Sequence, residues 1–445
     1  MTRARRCLLV EGLSYHWEVL PPWVGMLQQL GYDVEVAADV SSSGHRETLT
    51  LLQSRCRTHQ AAELQNLPLD DFDFVVLNSL VHEGYFFHEP TKPRPNLKWI
   101  QDLGLPSISI VHEPVLWVEK RITHSFHEVG DNGRRVLNLL TDGCFQYEMG
   151  FWSRERWSLD RDRLRVPEDG RTRVFETRDG GRSFHGLEAD RTTTLMRREM
   201  PAEDISRHCA DPRHAVITLT EPGAAHLATV CDGVEWILPL EIQDRLPLRR
   251  TGEIAFAGMI DYDRKALHSL LQACEALREN EFIRIIGGSR KTNIDDDRFV
   301  KQFKKQVTER GLDSKLRFTG YLPYGEFVET IRRCRFLLPL VDDYVDAGSY
   351  LVKLTAAVPS SLGLGVPLII DHSIADRFDL QYMICYPDGD LVSGLKAEQR
   401  LSEREYAAML ASLDRHAEAL YRRNIKVLAG LIERITGRNP GGYEK

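Results

Sequence analysis

Proton-accepting side chains follow two short apolar runs in the first half of the sequence. One group lies in the loop after residues 7–10, and the other comes directly after residues 107–111. A histidine or carboxylate there could remove a proton from a hydroxyl or amine, and a glycine would let the chain pass close to a bound molecule. The alternative is that these side chains only cap the strand ends. The candidate bases are Glu11, His16, His112 and Glu113, and the accompanying glycine is Gly12.

Cations and glycines lie at comparable points in the second half. Gly287 and Gly288 end the apolar run 282–286, where the absence of side chains lets the backbone approach a ligand. Ser349 is expected to cap a helix that carries Lys353 one turn inside it. The N-terminus of a helix and a nearby cation together attract phosphate. The alternatives are glycines that serve turn geometry alone and a lysine exposed to solvent.

The elements that must position these residues form two α/β patterns. The first pattern opens as strand, helix, strand over residues 7–10, 17–30 and 31–39, and continues with strands at 74–77 and 107–111. In the second, strands at 253–258, 282–286, 316–318, 335–340 and 366–370 alternate with helices at 265–277, 297–310, 324–333 and 349–361. Such alternation predicts parallel sheets with functional loops at their carboxyl edges.

Residues 151–199 interrupt the first pattern. This segment carries 12 arginines and 10 acidic residues and is broken by Asp179-Gly180-Gly181, which predicts hairpins rather than a buried α/β layer. We interpret it as an insertion in the first domain. It is either a solvent-exposed extension of the surface or a segment that binds an acidic or extended acceptor.

Composition excludes several classes of protein. Hydrophobic content of 42% and charged content of 28% are those of a globular chain. A net charge of −7 without long runs of one sign argues against a nucleic-acid partner. The sequence lacks a nucleophile elbow, a Walker loop, and a GxGxxG fingerprint after its first strand, so hydrolase, P-loop and dehydrogenase readings lose their support. No apolar stretch approaches the roughly 20 residues of a membrane span, and the cysteines are scattered, so we expect a cytoplasmic protein.

An ordered set of short motifs in the second half resembles the donor half of GT-B glycosyltransferases. The set runs from Phe256-Ala257-Gly258 through Ile286-Gly287-Gly288 and Phe318-Thr319-Gly320-Tyr321-Leu322-Pro323 to Gly365-Val366-Pro367. The resemblance implies two Rossmann-like domains facing a cleft, and an enzyme that moves a sugar from a nucleotide diphosphate sugar to a hydroxyl or amine. It also implies that His112 lies beside the donor sugar. The donor-binding residues it implies, with those named above, are Gly12, Gly258, Arg264, Lys265, Gly287, Gly288, Tyr321, Ser349 and Lys353. The alternatives are surface charges at a helix start for Arg264 and Lys265, and core or surface packing for Tyr321.

The second half also departs from the common retaining pattern. Retaining GT-B glycosyltransferases with motifs similar to these carry two glutamates before the Gly-x-Pro signature, which is Gly365-Val366-Pro367 here. The corresponding positions in this sequence are Val352 and Ser360. Ser349 to Leu354 is instead similar to the Ser-x-x-x-Lys-Leu motif of glucuronosyltransferases, whose lysine meets the nucleotide. Inversion at the anomeric carbon is therefore favoured, without a bound metal or cofactor.

The sequence leaves rival functions open. A nucleotide-sugar epimerase or hydrolase of the same fold would use water in place of an acceptor, and a catalytically silent protein would only bind the nucleotide sugar. We expect an acceptor domain at 1–245, a donor domain at 250–400, and helices at 401–445 that cross back to the first domain. The acceptor, whether glycan, small molecule or protein, is left open.

Overall fold

The computed structural model describes most of the chain. The described residues are 5–12, 16–38, 46–80, 100, 102–118, 122–129, 136–140, 145–147, 151–153, 157–160, 162–168, 171–187, 192–198, 205–243, 253–260, 265–288, 295, 297–320, 322–341, 352 and 355–438. None of the helices in these ranges combines the length and the apolarity that a membrane crossing requires.

The first half of the chain begins a parallel sheet flanked by helices. Its strands are β1 (Arg6–Glu11), β2 (Asp33–Ala38), β3 (Arg57–Gln60), β4 (Phe74–Leu77) and β5 (Ser107–Val111). The helices between and after them are α1 (Leu20–Gln29), α2 (Arg46–Arg55) and α3 (Pro114–Val118), with 3-10 helices at Trp17–Val19, Ala61–Asn66 and Leu69–Asp71. Every residue of β4 and β5 is buried, which is expected where helices cover both faces of a parallel sheet. The strands predicted at 74–77 and 107–111 are therefore confirmed.

The chain then leaves this sheet, and its described residues form nine antiparallel strands before it returns. They are β6 (Ile122–Glu128), β7 (Val136–Leu140), β8 (Phe145–Tyr147), β9 (Phe151–Ser153), β10 (Ser158–Asp160), β11 (Arg163–Glu168), β12 (Arg171–Glu176), β13 (Ser183–Leu187) and β14 (Thr192–Arg198). They form one sheet in the order β10-β11-β12-β13-β14-β6-β7-β8-β9. The hairpins expected between residues 151 and 199 thus belong to a sheet that already begins at Ile122.

This antiparallel sheet is rolled rather than flat. Its edge strands, β9 and β10, are consecutive in the chain, and the five residue steps from Ser153 to Ser158 span at most about 17 Å. The edges of a flat nine-stranded sheet would lie about 38 Å apart. The ring of Trp157, next to one edge, lies 5.9 Å from the ring of His124 on β6, which is five strands away in the sheet order. The rolled sheet encloses a separate apolar core of Phe126, Leu137, Leu139, Leu164, Val166, Phe175, Phe184 and Leu195.

After the rolled sheet the chain completes the first parallel sheet. The added elements are α4 (Ile205–Ala210), β15 (His214–Thr218), α5 (Glu221–Leu227) and β16 (Glu235–Trp236). Strand β15 pairs with β5, and the complete order is β16-β15-β5-β4-β1-β2-β3, parallel throughout. The carboxyl ends of the strands that the structure describes in this sheet therefore meet at one edge.

The second half forms another parallel sheet. Its strands are β17 (Ile254–Met259), β18 (Ile283–Gly288), β19 (Leu316–Gly320), β20 (Phe336–Leu338), β21 (Leu368–Asp371) and β22 (Met383–Tyr386), in the order β19-β18-β17-β20-β21-β22. The helices are α6 (Leu267–Glu275), α7 (Arg298–Glu309), α8 (Tyr324–Arg333), α9 (Ala357–Leu364), α10 (His372–Arg377) and α11 (Leu391–Arg400). The strand and helix alternation predicted from residue 253 onward is confirmed.

One predicted helix begins later than expected. The pattern predicts a helix over 349–361, but α9 begins at Ala357 with Ala356 as its N-cap. Pro359 explains the difference, because a proline deep inside a helix costs about 3 kcal/mol, whereas the first turn tolerates it. Ser349 is therefore not the cap of this helix, and Lys353 precedes its first residue by four positions.

The last helix, α12 (Glu403–Thr436), packs on both halves of the chain. It begins with a capping box between Ser402 and Glu405. Its first half contributes Leu413 and Ala417 to a core that lines the second sheet, and its last half contributes Ile425, Leu428, Leu431, Ile432 and Ile435 to the core of the first. Between these two stretches, Asn424 Nδ2 donates a hydrogen bond of 2.6 Å to the Leu238 carbonyl. Within the range 401–445, where helices were expected, the described residues form this one helix, and it contributes to both cores.

Candidate functional site

A buried carboxylate lies at the carboxyl edge of the first parallel sheet. Glu11 is the last residue of β1 and is completely buried. Its Oε2 atom accepts hydrogen bonds from Asn78 Nδ2 at 2.6 Å and from Ser79 Oγ at 2.8 Å. Asn78 and Ser79 directly follow β4, the neighbour of β1. The parallel pairing of these strands thus brings residues far apart in sequence to the same point.

Two histidines stack beside this carboxylate. His112 directly follows β5, and His16 precedes the 3-10 helix at Trp17–Val19. Their ring centroids are 3.8 Å apart and their planes differ by 10°. His112 Nε2 lies 2.6 Å from the Asn78 carbonyl oxygen. Because a carbonyl only accepts, Nε2 must carry the hydrogen, and Nδ1 is the basic nitrogen of the neutral ring.

The backbone of His16 is held in an uncommon conformation. Its φ of 58° lies in the left-handed region, which few residues other than glycine adopt. The His16 carbonyl accepts hydrogen bonds from Asn78 Nδ2 at 3.1 Å and from the Val19 amide at 3.3 Å. The surrounding structure therefore fixes the strained residue whose ring covers His112.

Of the first-domain candidates, the structure brings Glu11, His16 and His112 into one cluster. Gly12 is buried next to Glu11, and Glu113 is half-buried next to His112. Sequence reasoning missed Asn78, which joins the three clustered residues. The only available signal was its position directly after the apolar run 74–77, the same relation that singled out His112.

Two glycines lie side by side at the carboxyl edge of the second sheet. Gly258 on β17 and Gly287 on β18 are register partners, with φ of 149° and 92°. A Cβ atom on Gly287 would lie 3.3 Å from the Gly258 carbonyl oxygen. Gly288 ends β18. Backbone geometry therefore favours glycine at both positions, since their φ values lie where residues with a side chain are strained.

A lysine points to the same edge. Lys265 is half-buried, and its Nζ donates a hydrogen bond of 2.9 Å to the carbonyl of Pro339, the residue that follows β20 by one position. The same atom lies 5.7 Å from the centroid of the Phe256 ring. The Lys265 ammonium thus lies between the ends of β17 and β20. The other donor-binding candidates, Arg264, Tyr321, Ser349 and Lys353, lie outside the described residues.

The edge of the first sheet contacts the second half of the chain. Thr220, the N-cap of α5, follows β15 and donates a hydrogen bond of 2.5 Å from Oγ1 to the Val352 carbonyl. A Cβ atom on Gly223 would lie 3.2 Å from the same carbonyl oxygen. Residue 352, which belongs to the segment of the Lys353 prediction, therefore packs against the strand ends of the first sheet.

A second histidine pair lies deeper, between β5, β15 and α4. The rings of His208 and His214 stack with centroids 4.5 Å apart, and His214 Nδ1 lies 2.8 Å from Ser107 Oγ on β5. Burial, together with the nearby charge of His214, lowers the pKa of His208 to about 4. Burial also lowers the pKa of His214. These histidines are neutral structural groups at neutral pH. Among the described residues, no group of three or more His, Cys, Asp or Glu side chains is arranged so that it could hold a metal ion.

Comparison with known proteins gives structural likeness without sequence likeness. No protein-family model matches the chain, and no curated protein matches it in sequence. A glycosyltransferase from Rickettsia africae is 7% identical with a TM-score of 0.53, over 96% of this chain and 99% of that one. HepE of Anabaena, solved in complex with UDP and glucose, is 10% identical with a TM-score of 0.52 over the same shares. The likeness at these identities concerns the fold.

The features on which this likeness rests are those described above. Two parallel sheets flanked by helices follow one another along the chain. The predicted fold class is therefore confirmed: the chain has the GT-B fold, with two Rossmann-like halves, that is found in glycosyltransferases.

Proposed function

We propose that the chain is a glycosyltransferase that moves a sugar from a nucleotide diphosphate sugar to an acceptor hydroxyl or amine. The observation that carries the proposal is the pair of strand-end sites. A cluster of Glu11, His16 and His112 lies at the strand ends of the first sheet, and the paired glycines Gly258 and Gly287 and the cation of Lys265 lie at those of the second. The GT-B fold supports this proposal, as does the presence of UDP and glucose in the solved HepE complex.

The donor diphosphate is assigned to the second sheet. Lys265 supplies a cation at the end of β20, next to the strand β17 that carries Gly258, and the negative phosphate oxygens would be attracted to it. Arg264 and Lys353 are proposed as further cations, Tyr321 as a stacking surface for the base, and Gly12, Gly288 and Ser349 as further contacts. These cations would stabilise the charge that gathers on the leaving diphosphate, without a bound metal.

Among the four candidate bases, His16 fits proton removal best. Glu11 is completely buried and accepts two hydrogen bonds. His112 keeps Nδ1 as a basic nitrogen, but the His16 ring stacks on one face of its ring. His16 keeps about a third of its side chain exposed. We therefore assign the acceptor proton to His16 in an inverting reaction, with His112 beside the donor sugar and Glu113 next to it.

Donor binding is tested by thermal shift with nucleoside diphosphates and their sugars. A ligand at 100 times its Kd should stabilise the protein by about 2.7 kcal/mol. Lys265→Ala should lose most of this stabilisation, whereas Lys305→Ala, which removes an exposed lysine of α7, should keep it. Stabilisation by none of the nucleotides would contradict the proposed donor site.

Turnover is tested by incubating the stabilising donor with and without a pool of acceptors. Nucleotide release that depends on acceptor supports a transferase, while release from donor alone indicates an epimerase or hydrolase. Binding without turnover in any pool indicates a silent binding protein. His16→Ala should lower kcat by about 100-fold or more if His16 is the base. NMR of the product's anomeric proton distinguishes inversion from retention.

A further inference from the structure

Asn78 contacts every member of the strand-end cluster. It is completely buried. Its Nδ2 donates to Glu11 Oε2 at 2.6 Å and to the His16 carbonyl at 3.1 Å. Its own carbonyl accepts from His112 Nε2 at 2.6 Å. A single side chain and its backbone therefore link one carboxylate and two imidazoles.

The orientation of this carboxamide is set by its neighbours. A carboxylate oxygen that also accepts from Ser79 Oγ can only receive a hydrogen, so Asn78 must turn its NH2 group toward Glu11. The backbone of Asn78 is fixed as well, because its backbone N–H donates a hydrogen bond of 2.9 Å to the Val10 carbonyl. With the NH2 group so directed, its second hydrogen reaches His16. Glu11 thus acts on His16 through Asn78.

His16 needs such an anchor. Its left-handed φ of 58° is unfavourable for a residue with a side chain, and this conformation brings its ring 3.8 Å from that of His112. We propose that Asn78, oriented by Glu11, is a positioning residue that holds His16 and His112 as a stacked pair. The catalytic part of this inference rests on the proposed function, because the stacked pair would then present His16 to the acceptor.

The positioning is tested on the free protein by NMR of 13C,15N-labelled histidine, so the result does not depend on any activity. His16→Gln and His112→Gln assign the two ring signals. In the wild type, each stacked ring should shift the other's protons upfield, and His112 should show the Nε2–H tautomer. Asn78→Ala should abolish the mutual upfield shift.

A matched variant separates positioning from general destabilisation. Asn424 is also completely buried and also donates from Nδ2 to a backbone carbonyl at 2.6 Å, but it lies in α12. Asn424→Ala should lower the melting temperature and leave the His16 and His112 signals unchanged. If Asn78→Ala also leaves them unchanged, Asn78 does not position the pair and the inference is overturned.

Exchanging the carboxylate of Glu11 with the carboxamide of Asn78 separates two roles of Asn78, its hydrogen bond to residue 11 and its hydrogen bond to the His16 carbonyl. In the double variant Glu11→Gln with Asn78→Asp, the donor and acceptor are reversed, so the buried pair can re-form. The introduced carboxylate has no hydrogen to donate to the His16 carbonyl. We expect the double variant to recover melting temperature relative to Asn78→Asp alone, yet to lack the stacking signature. A stacking signature restored in the double variant would overturn the role of the Asn78 NH2 group.

Kinetics supply the functional readout. With the donor and acceptor found by the turnover assay, Asn78→Ala should lower kcat by about 10- to 100-fold, with donor KM changed by less than about threefold. Equal loss of kcat in Asn424→Ala would overturn a specific positioning role. If the wild type turns over no donor, the proposed function fails while the NMR experiment still decides the position of the two rings.

Discussion

The buried pair of His208 and His214 predicts that the first half of the protein is destabilised by mild acid. His208 is 1% exposed, and burial followed by the charge of His214 lowers its pKa from 6.5 to about 4. Between these two values the unfolded chain binds a proton that the folded chain does not. Stability therefore rises with pH across this window and is lost as pH falls below 6.5.

The size of the effect follows from the two pKa values. Lowering the pH from 7.5 to 5.0 should cost about 2 kcal/mol of unfolding free energy from His208 alone. The burial-lowered pKa of His214 adds a contribution of the same sign. Urea unfolding at the two pH values, followed by tryptophan fluorescence, measures the total loss for the wild type.

A glutamine variant isolates the part due to His208. His208→Gln keeps a polar group near Ser109 Oγ but cannot take up a proton, so it should lose about 2 kcal/mol less than the wild type over the same pH range. His372→Gln removes an exposed histidine of α10 and should behave as the wild type. An equal loss in the wild type and in His208→Gln would refute the assignment of acid sensitivity to this buried ring.

Two glycine substitutions give further tests, each with its own control. Gly363→Ala would place a Cβ atom 2.7 Å from a backbone oxygen inside the molecule, so we expect a loss of about 1–3 kcal/mol in urea unfolding. Gly430→Ala, also in a helix but with no atom within 4 Å, should be neutral or stabilising, and a similar loss in both would contradict the packing argument. Gly287→Ala combines a φ of 92° with a close backbone contact and should weaken nucleotide binding about tenfold by isothermal titration, or about 1.4 kcal/mol. Gly311→Ala has a φ of 67° without a close contact, so it should lower stability but leave nucleotide affinity unchanged.

The fold could be predicted largely from periodicity. The helix at Tyr324–Arg333 and the strands at 74–77 and 107–111 lie where the sequence predicts them, because their apolar spacing has one simple solution. The start of the rolled sheet could not be found this way. Strands β6 and β7 carry Phe126, Leu137 and Leu139, whose apolar pattern in the sequence is the same as that of strands in the main parallel sheet. Only the structure shows that they belong to a separate apolar core.

The site could be predicted in part. His112 was found because a histidine after an apolar run could accept a proton and resembles the histidine that GT-B enzymes place beside the donor sugar. An asparagine in the same position is an ordinary loop residue. The role of Asn78 depends on the strand order β5-β4-β1, which places it between His112 and Glu11. Strand order depends on contacts between distant segments, and no local pattern of the sequence encodes it.

The position of α12 has a consequence for how the protein is made. Ile425, Leu428 and Ile432 cover the first sheet, although the last strand of that sheet ends at Trp236. During synthesis almost 200 residues must therefore be added before this apolar surface receives its cover. Until then the nascent first half exposes the apolar surface that α12 later covers. Exposed apolar surface of this kind is what chaperones bind during synthesis. Completion of the first core is thus a late event in folding, even though most of its residues are synthesised first.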